Sequence, residues 1–100
     1  MADLTILYWR DIPAQIIVRK GRAAAKRELP LRFTEAIDMC AMRVGARDSD
    51  AYLAEWRKGD PSGVGDDLEA EADLAFTRID AAYDRDRLAA LVKSEGWDNG

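Results

Sequence analysis

The segment YWRDIPAQ, Tyr8 to Gln15, holds the residues best suited to recognition chemistry. An arginine–aspartate pair follows two large aromatic residues and precedes a proline, a pattern more specific than a hairpin turn needs. An arginine beside aromatic rings is typical of the centres that dominate binding energy. We take Tyr8, Trp9, Arg10, Asp11 and Gln15 as candidate binding residues.

A structural interpretation of the same segment stays open. In it, Trp9 closes the edge of the core while Arg10 and Asp11 pair across a turn. In an exposed connection, such an ion pair contributes only about 0 to 1 kcal/mol to folding. If the segment is instead a binding site, alanine at both Arg10 and Asp11 should leave the stability nearly unchanged and abolish binding.

The basic segment between Arg19 and Arg32 is a second candidate site. Residues 1–47 carry nine Lys/Arg and five Asp/Glu, whereas residues 48–100 carry six and fourteen. The acidic second half is able to neutralise this segment within the fold, which is the competing interpretation. An exposed basic segment would instead attract an anion or an acidic partner. The residues assigned to such binding are Arg19, Lys20, Arg22, Lys26 and Arg27.

Catalytic and metal chemistry have few candidate residues. The chain has no histidine and one cysteine, Cys40, which excludes histidine-based sites and an internal disulfide. The loop beginning at Asp60 is a near miss to an EF-hand, because Val64 and Leu68 stand where oxygen ligands are expected. The carboxylates fall on polar helix faces or caps and suggest no acid–base pair. We lean against an enzyme and expect no cofactor and no metal.

Composition places the chain among small globular proteins. Its 100 residues, 48% of them hydrophobic, suffice for one domain, residues 1–100. The net charge of −4 argues against nucleic-acid binding. No apolar run approaches the roughly 18 residues of a membrane span, and the first residues do not have the pattern of a signal peptide. We expect no membrane association and a cytoplasmic location.

Residue patterning predicts strands in the first third of the chain. Runs of β-branched and aromatic residues predict strands at about 4–9 and 14–20. Residues 23–29 are ambiguous, because their alanine, lysine and arginine favour helix whereas Pro30 suits the start of a new helix. We interpret 23–29 as a third strand, since a two-stranded hairpin is marginal in water.

Apolar residues at three- and four-residue steps predict helices in the rest of the chain. The predicted helices span about residues 30–44, 49–58, 67–82 and 85–94. In the second helix, Tyr52, Leu53 and Trp56 are expected to face inward. The predicted fold is therefore α+β, a small antiparallel sheet of two or three N-terminal strands packed against three or four helices.

The first predicted strand is apolar on both faces. Leu4 and Ile6 lie on one side, and Leu7 and Trp9 on the other. Helices in so small a domain are expected to cover only one face of the sheet. An uncovered face or edge favours pairing, so we predict a homodimer or a protein partner seated on the sheet.

Three segments together resemble a known family: YWRDIPAQIIVRKG, LPLRFTEAIDMCAMRVG and DAYLAEWRKG. They are similar to the small bacterial domain family labelled virulence factor, whose relatives also occur as a module in the conserved virulence factor C proteins. The resemblance covers about residues 4–59, and residues 60–100 contribute little to it. It implies a domain with no established catalytic activity, often encoded near folate- and corrinoid-dependent methyl-transfer enzymes.

We therefore expect a non-catalytic protein-interaction or accessory module, with a methyl-transfer enzyme of one-carbon metabolism as the candidate partner. The alternative is a domain that binds a small anionic, folate-like ligand. In that version Tyr8 and Trp9 stack on the ring of the ligand. Arg10, Arg19 or Lys20 then pairs with its carboxylates.

Overall fold

The computed structural model describes residues 2–45 and 49–98, and within them the fold is α+β, as predicted. In these residues five strands form one antiparallel sheet, more than the two or three expected, and four helices accompany it. The strands are β1 (Ala2–Trp9), β2 (Ile12–Lys20), β3 (Ala23–Glu28), β4 (Trp56–Lys58) and β5 (Ser62–Val64). The helices are α1 (Leu31–Arg43), α2 (Ser49–Ala54), α3 (Leu68–Ala82) and α4 (Arg85–Lys93).

The first three strands form an antiparallel meander. β1 pairs with β2, and β2 pairs with β3, so the ambiguous residues 23–29 are in a strand through Glu28. Gly21, with φ of 60°, lies in the turn between β2 and β3. Pairing with β2 supplies partners for the backbone and outweighs the helical propensity of the alanines, because propensity is a weak determinant beside tertiary pairing.

The predicted helix at 49–58 is wrong in its second half. α2 ends at Ala54, and β4 pairs antiparallel with the end of β1, where Trp56 lies opposite Trp9. β5 pairs with the start of the same strand, with Val64 opposite Ala2. This long-range pairing leaves no trace in local periodicity, yet it supplies the outer edge of β1 with backbone partners.

Gly59 follows β4, where the chain passes close to β1. Its amide donates a hydrogen bond to the Ile6 carbonyl oxygen at 2.8 Å. A Cβ atom at this position would stand 2.9 Å from a ring carbon of Tyr8 and 3.3 Å from the Ile6 carbonyl oxygen. This close approach of backbone to strand requires glycine.

The core lies between one face of the sheet and the helices. β2 contributes Ile16 and Val18, α1 contributes Phe33 and Ile37, and α3 contributes Ala72, and all are buried. Helices α1 and α3 both pack on β2, and α4 packs on α1. The alternation of β2 turns the intervening Ile17 to the other face of the sheet.

Local signals set the ends of the helices. Pro30 stands at the N-cap of α1 with φ of −54°, which proline adopts without strain. The side chains of Asp67 and Asp84 cap α3 and α4 by accepting hydrogen bonds from backbone N–H groups. In the described part of the chain, every helix is too short or too polar to cross a bilayer.

The inward orientation predicted for one side chain of α2 is wrong. Leu53 is 62% exposed, whereas Tyr52 and Trp56 are half-buried and pack against the core. The rings of Tyr52 and Trp56 meet edge to face with centroids 5.9 Å apart. Tyr52 of α2 and Trp56 of β4 therefore pack on each other and on the core, while Leu53 stays in solvent.

Candidate functional site

Trp9 is a core residue. It has no exposed surface, its indole Nε1 donates to the Tyr52 carbonyl oxygen at 3.0 Å, and its ring lies 5.9 Å from that of Tyr52. Tyr8 is half-buried, with the guanidinium of Arg57 at 4.6 Å from its ring centre. Burial raises the pKa of the Tyr8 hydroxyl, so it stays protonated at neutral pH. In this conformation Trp9 has no face open to a ligand.

Arg10 joins three parts of the chain. It occupies the turn after β1 with φ of 54°, a left-handed conformation that costs a non-glycine residue about 1–2 kcal/mol. Its Nε donates to the Glu55 carboxylate at 3.0 Å, and its Nη1 donates to the Glu95 carbonyl oxygen at 2.6 Å. The guanidinium lies 5.3 Å from the ring centre of Trp9 and 5.1 Å from that of Trp97. The side chain is only 14% exposed.

Asp11 ties the same turn to β4 and to the end of the chain. Its carboxylate accepts from Arg57 Nη2 at 2.8 Å and from the backbone N–H of Asp98 at 2.7 Å. Its own N–H donates to the Gly96 carbonyl oxygen at 2.8 Å. Arg57 Nε also donates to the Arg10 carbonyl oxygen at 2.9 Å. The bond between Arg57 and Asp11 joins two charged groups, and the bonds from Asp98 N–H and from Arg57 Nε each have one charged partner, so these three are stronger than a neutral hydrogen bond.

We call this cluster of Arg10, Asp11, Glu55, Arg57 and residues 95–98 the Arg10 corner. The expectation that Arg10 and Asp11 lie in an exposed connection is wrong, since their side chains are only 14% and 27% exposed. The two residues also do not pair with each other, since each pairs with a residue of the 55–57 segment. The corner holds β1, the start of β4 and the end of the chain together.

The basic segment is neutralised in part by the acidic second half of the chain. Three of its residues form ion pairs with carboxylates on or before α3, as the competing interpretation required. The hydrogen bond from Lys20 lowers the pKa of the Asp66 carboxyl, which is fully exposed. The pairs are Lys20 with Asp66 at 3.3 Å, Arg27 with Glu69 and with Asp73 at 2.9 Å, and Arg32 with Asp80 at 2.6 Å.

The other cations of the segment remain without acidic partners. Arg19, Arg22 and Lys26 are exposed, and among residues 2–45 and 49–98 none of them makes an ion pair. Gln15 is half-buried and lies opposite Leu7 on β1 and Glu28 on β3. The predicted site residues are thus divided between the Arg10 corner and a separate part of the sheet.

That separate part is the sheet face turned away from the helices, which we call the open face. Its centre consists of Thr5, Leu7 and Ile17, which are half-buried and not fully covered. A depression of about 270 Å³ lies over it. The depression is lined by Asp3, Thr5, Ile17, Arg19, Lys20, Gly21, Lys58 and Pro61.

Lys58 is the open-face residue that the sequence interpretation missed. It lies on β4 opposite Leu7 of β1. This pairing places Lys58 at the edge of the depression that Arg19 and Lys20 also line. In the described ranges Lys58, like Arg19, makes no ion pair. The available signal was the run Trp56–Lys58 just before a glycine- and proline-rich stretch, which fits a short strand as well as a helix end.

Among the described residues, no group of three or more cysteine, aspartate or glutamate side chains lies close enough to hold a metal ion. In the Arg10 corner, the carboxylates of Glu55 and Asp11 are bound by arginine side chains or by a backbone N–H. The arrangement supports binding by contact and charge. The cations that line the depression are able to attract an anionic or acidic group to the open face.

Comparison with protein families gives one match, a model described as virulence factor, over residues 7–92. The match begins in β1 and reaches α4, so the expectation that residues 60–100 contribute little to the resemblance is wrong. No curated protein and no solved structure matches the chain. Because the family model covers most of the sequence, the chain belongs to the virulence factor family.

Proposed function

We propose that this protein is a non-catalytic interaction module that docks an acidic protein surface onto its open face. The observation that carries the proposal is the one-sided cover of the sheet. Helices α1 and α3 pack on one face, and the other face presents an apolar centre edged by Arg19 and Lys58, which make no ion pair with the acids of residues 2–45 and 49–98. Covering such a face buries apolar area and leaves the rim charges to select the partner.

The charge of the open face favours a different protein over a second copy. Arg19, Lys58 and Lys26 lie on or beside this face and make no ion pair in the part of the chain that the structure describes, whereas Asp3 and Glu28 are the acids of the face. In an isologous dimer the same face meets itself, so a cationic surface opposes a cationic surface. The homodimer is the competing proposal, and light scattering over a hundredfold dilution separates 11.2 kDa from twice that mass.

The family resemblance suggests the first partner to test. A cytoplasmic methyl-transfer enzyme of one-carbon metabolism fits the proposed role if it presents an acidic patch. The Arg10 corner is not part of this docking surface in our proposal, because its polar groups are already bonded within the fold.

The test is a capture experiment followed by titration of the purified partner. Glutamate at both Arg19 and Lys58 should weaken binding by about tenfold or more, since it reverses two charges of the rim. The matched control places glutamate at Arg78 and Lys93, two exposed cations on α3 and α4. Equal weakening by both double variants would show only a long-range charge effect, and unchanged binding by the first would place docking elsewhere.

A further inference from the structure

We infer that the depression over the open face is a binding site for a short aliphatic dicarboxylate, which would compete with the docked protein. The ligand site does not depend on the proposed function. The competition with a docked protein does rest on that function. The inference begins from Arg19 and Lys58, which line the same depression from opposite sides of β1.

The positions of the two cations call for two separated negative charges. Arg19 lies opposite Asp3 of β1, and Lys58 lies opposite Leu7, four residues further along the strand. The spacing of strands and residues places their Cα atoms about 13 Å apart along β1 and about 10 Å apart across it. A single small anion meets one of these side chains, whereas two carboxylates joined by a short chain meet both.

The floor of the depression matches the chain that would join them. Ile17 and Pro61 offer aliphatic surface, and Thr5 offers a hydroxyl between them. The depression of about 270 Å³ lies below the roughly 300–1,000 Å³ of sites for drug-sized ligands, so the ligand must be small. A guanidinium binds one carboxylate in bidentate fashion, and an ammonium binds the other as a point charge.

Two further charges tune the site. Lys20 also lines the depression, but its Nζ forms an ion pair with the Asp66 carboxylate at 3.3 Å. Asp3 lines it as well and carries the one negative charge among the lining residues. Removal of the Asp3 charge should therefore tighten binding, which a merely structural role for this residue would not do.

The experiment is an NMR titration of the full chain with glutarate at constant ionic strength, with acetate and inorganic phosphate as comparators. Glutarate should shift the amide signals of Thr5, Ile17 and Gly21 in a saturable way. Arg19→Gln and Lys58→Gln should each weaken binding at least about fivefold, Asp3→Asn should strengthen it, and the control Lys93→Gln should change nothing.

Several results would overturn the inference. Equal response to acetate or phosphate would show a general anion effect, and a response without saturation would show no site. The competition is tested separately, with the captured partner. If glutarate binds but leaves docking unchanged, the ligand site stands and the competition is ruled out. If the unmodified protein does not bind glutarate, and the Arg19 and Lys58 variants lose docking, only the docking proposal stands.

Discussion

The Arg10 corner and the open face use the same kinds of residues in opposite ways. In the corner, Arg10 meets Glu55 and the Glu95 carbonyl oxygen, and only 14% of its side chain is exposed. On the open face, Arg19 and Lys58 border apolar residues and make no ion pair within the described ranges. A partly buried cation with several partners belongs to the fold, and an exposed one without them is available for binding.

This difference favours one of the two interpretations that the sequence left open for the Tyr8–Gln15 segment, the structural one. The arginine–aspartate pair beside two aromatics has the composition of a binding centre, but its hydrogen bonds are made within the chain. The family match includes this segment. We interpret it as the element that joins the sheet to the end of the chain.

The largest expected effect is at Trp9. Trp9→Ala removes a fully buried indole and its hydrogen bond to Tyr52, which should lower the free energy of unfolding by about 3–5 kcal/mol. The matched open-face change, Ile17→Ala, removes a half-buried side chain and should cost about 1 kcal/mol. Urea unfolding measures both. Similar losses would mean that the open face is covered in the free protein.

The next effect is at the two arginines. Arg10→Ala leaves the Glu55 carboxylate and the Glu95 carbonyl without their donor, and should cost about 2–3 kcal/mol. Arg19→Ala should change the free energy of unfolding by less than about 0.5 kcal/mol, because it removes an exposed side chain that makes no ion pair with the described residues. Thermal melts at fixed pH test the contrast, and a stable Arg10 variant would contradict it.

Gly96 lies in the Arg10 corner and provides a further test of its packing against that of the open face. It has φ of 88°, and a Cβ there would stand 3.0 Å from Cδ of Arg10 and 3.1 Å from Sγ of Cys40. Gly96→Ala should lower the free energy of unfolding by about 1–3 kcal/mol, because it strains the backbone and crowds Arg10 and Cys40. The control is Gly21→Ala in the open-face turn, where φ is 60° but nothing lies within 4 Å of the added atom. A larger loss at Gly21 would show that crowding in the corner is unimportant.

The smallest expected effect is a loss of stability at alkaline pH. Burial raises the pKa of the Cys40 thiol above its usual value of about 8.5. A raised pKa means that stability is fully present below the ordinary value and is lost as pH rises through the pKa of the folded state. The urea concentration at the midpoint of unfolding should therefore decrease as the pH is raised above about 9. Cys40→Ala should make that decrease smaller. Burial of Tyr8 and Tyr52 acts in the same direction at higher pH.

The sequence predicted those parts of the fold that depend on local pattern. The first three strands, α1, α3 and α4 follow from alternation, helical spacing and the punctuation at Pro30, and all occur close to the expected residues. β4 and β5 depend on pairing with β1 some fifty residues away, which periodicity does not record. The error at 49–58 therefore concealed that Lys58 lines the same depression as Arg19.

The candidate site was predictable only as a set of cations. Charge counting found Arg19, Lys20 and Arg27 together, but it did not show which of them would meet an acid. α3 carries the carboxylates that pair with Arg27, and Lys20 meets Asp66 just before that helix. Which cations stay free depends on how α3 packs on the sheet, a property of tertiary structure.

We propose that the Arg10 corner serves the fold and that the open face serves binding. The most direct test compares two double variants, alanine at Arg10 and Asp11 and alanine at Arg19 and Lys58, by urea unfolding and by titration with the captured partner. We predict a loss of at least about 2 kcal/mol in unfolding free energy for the first variant. For the second we predict unchanged unfolding and binding weakened about tenfold. An Arg10 and Asp11 variant that unfolds like the unmodified protein yet fails to bind would contradict the account.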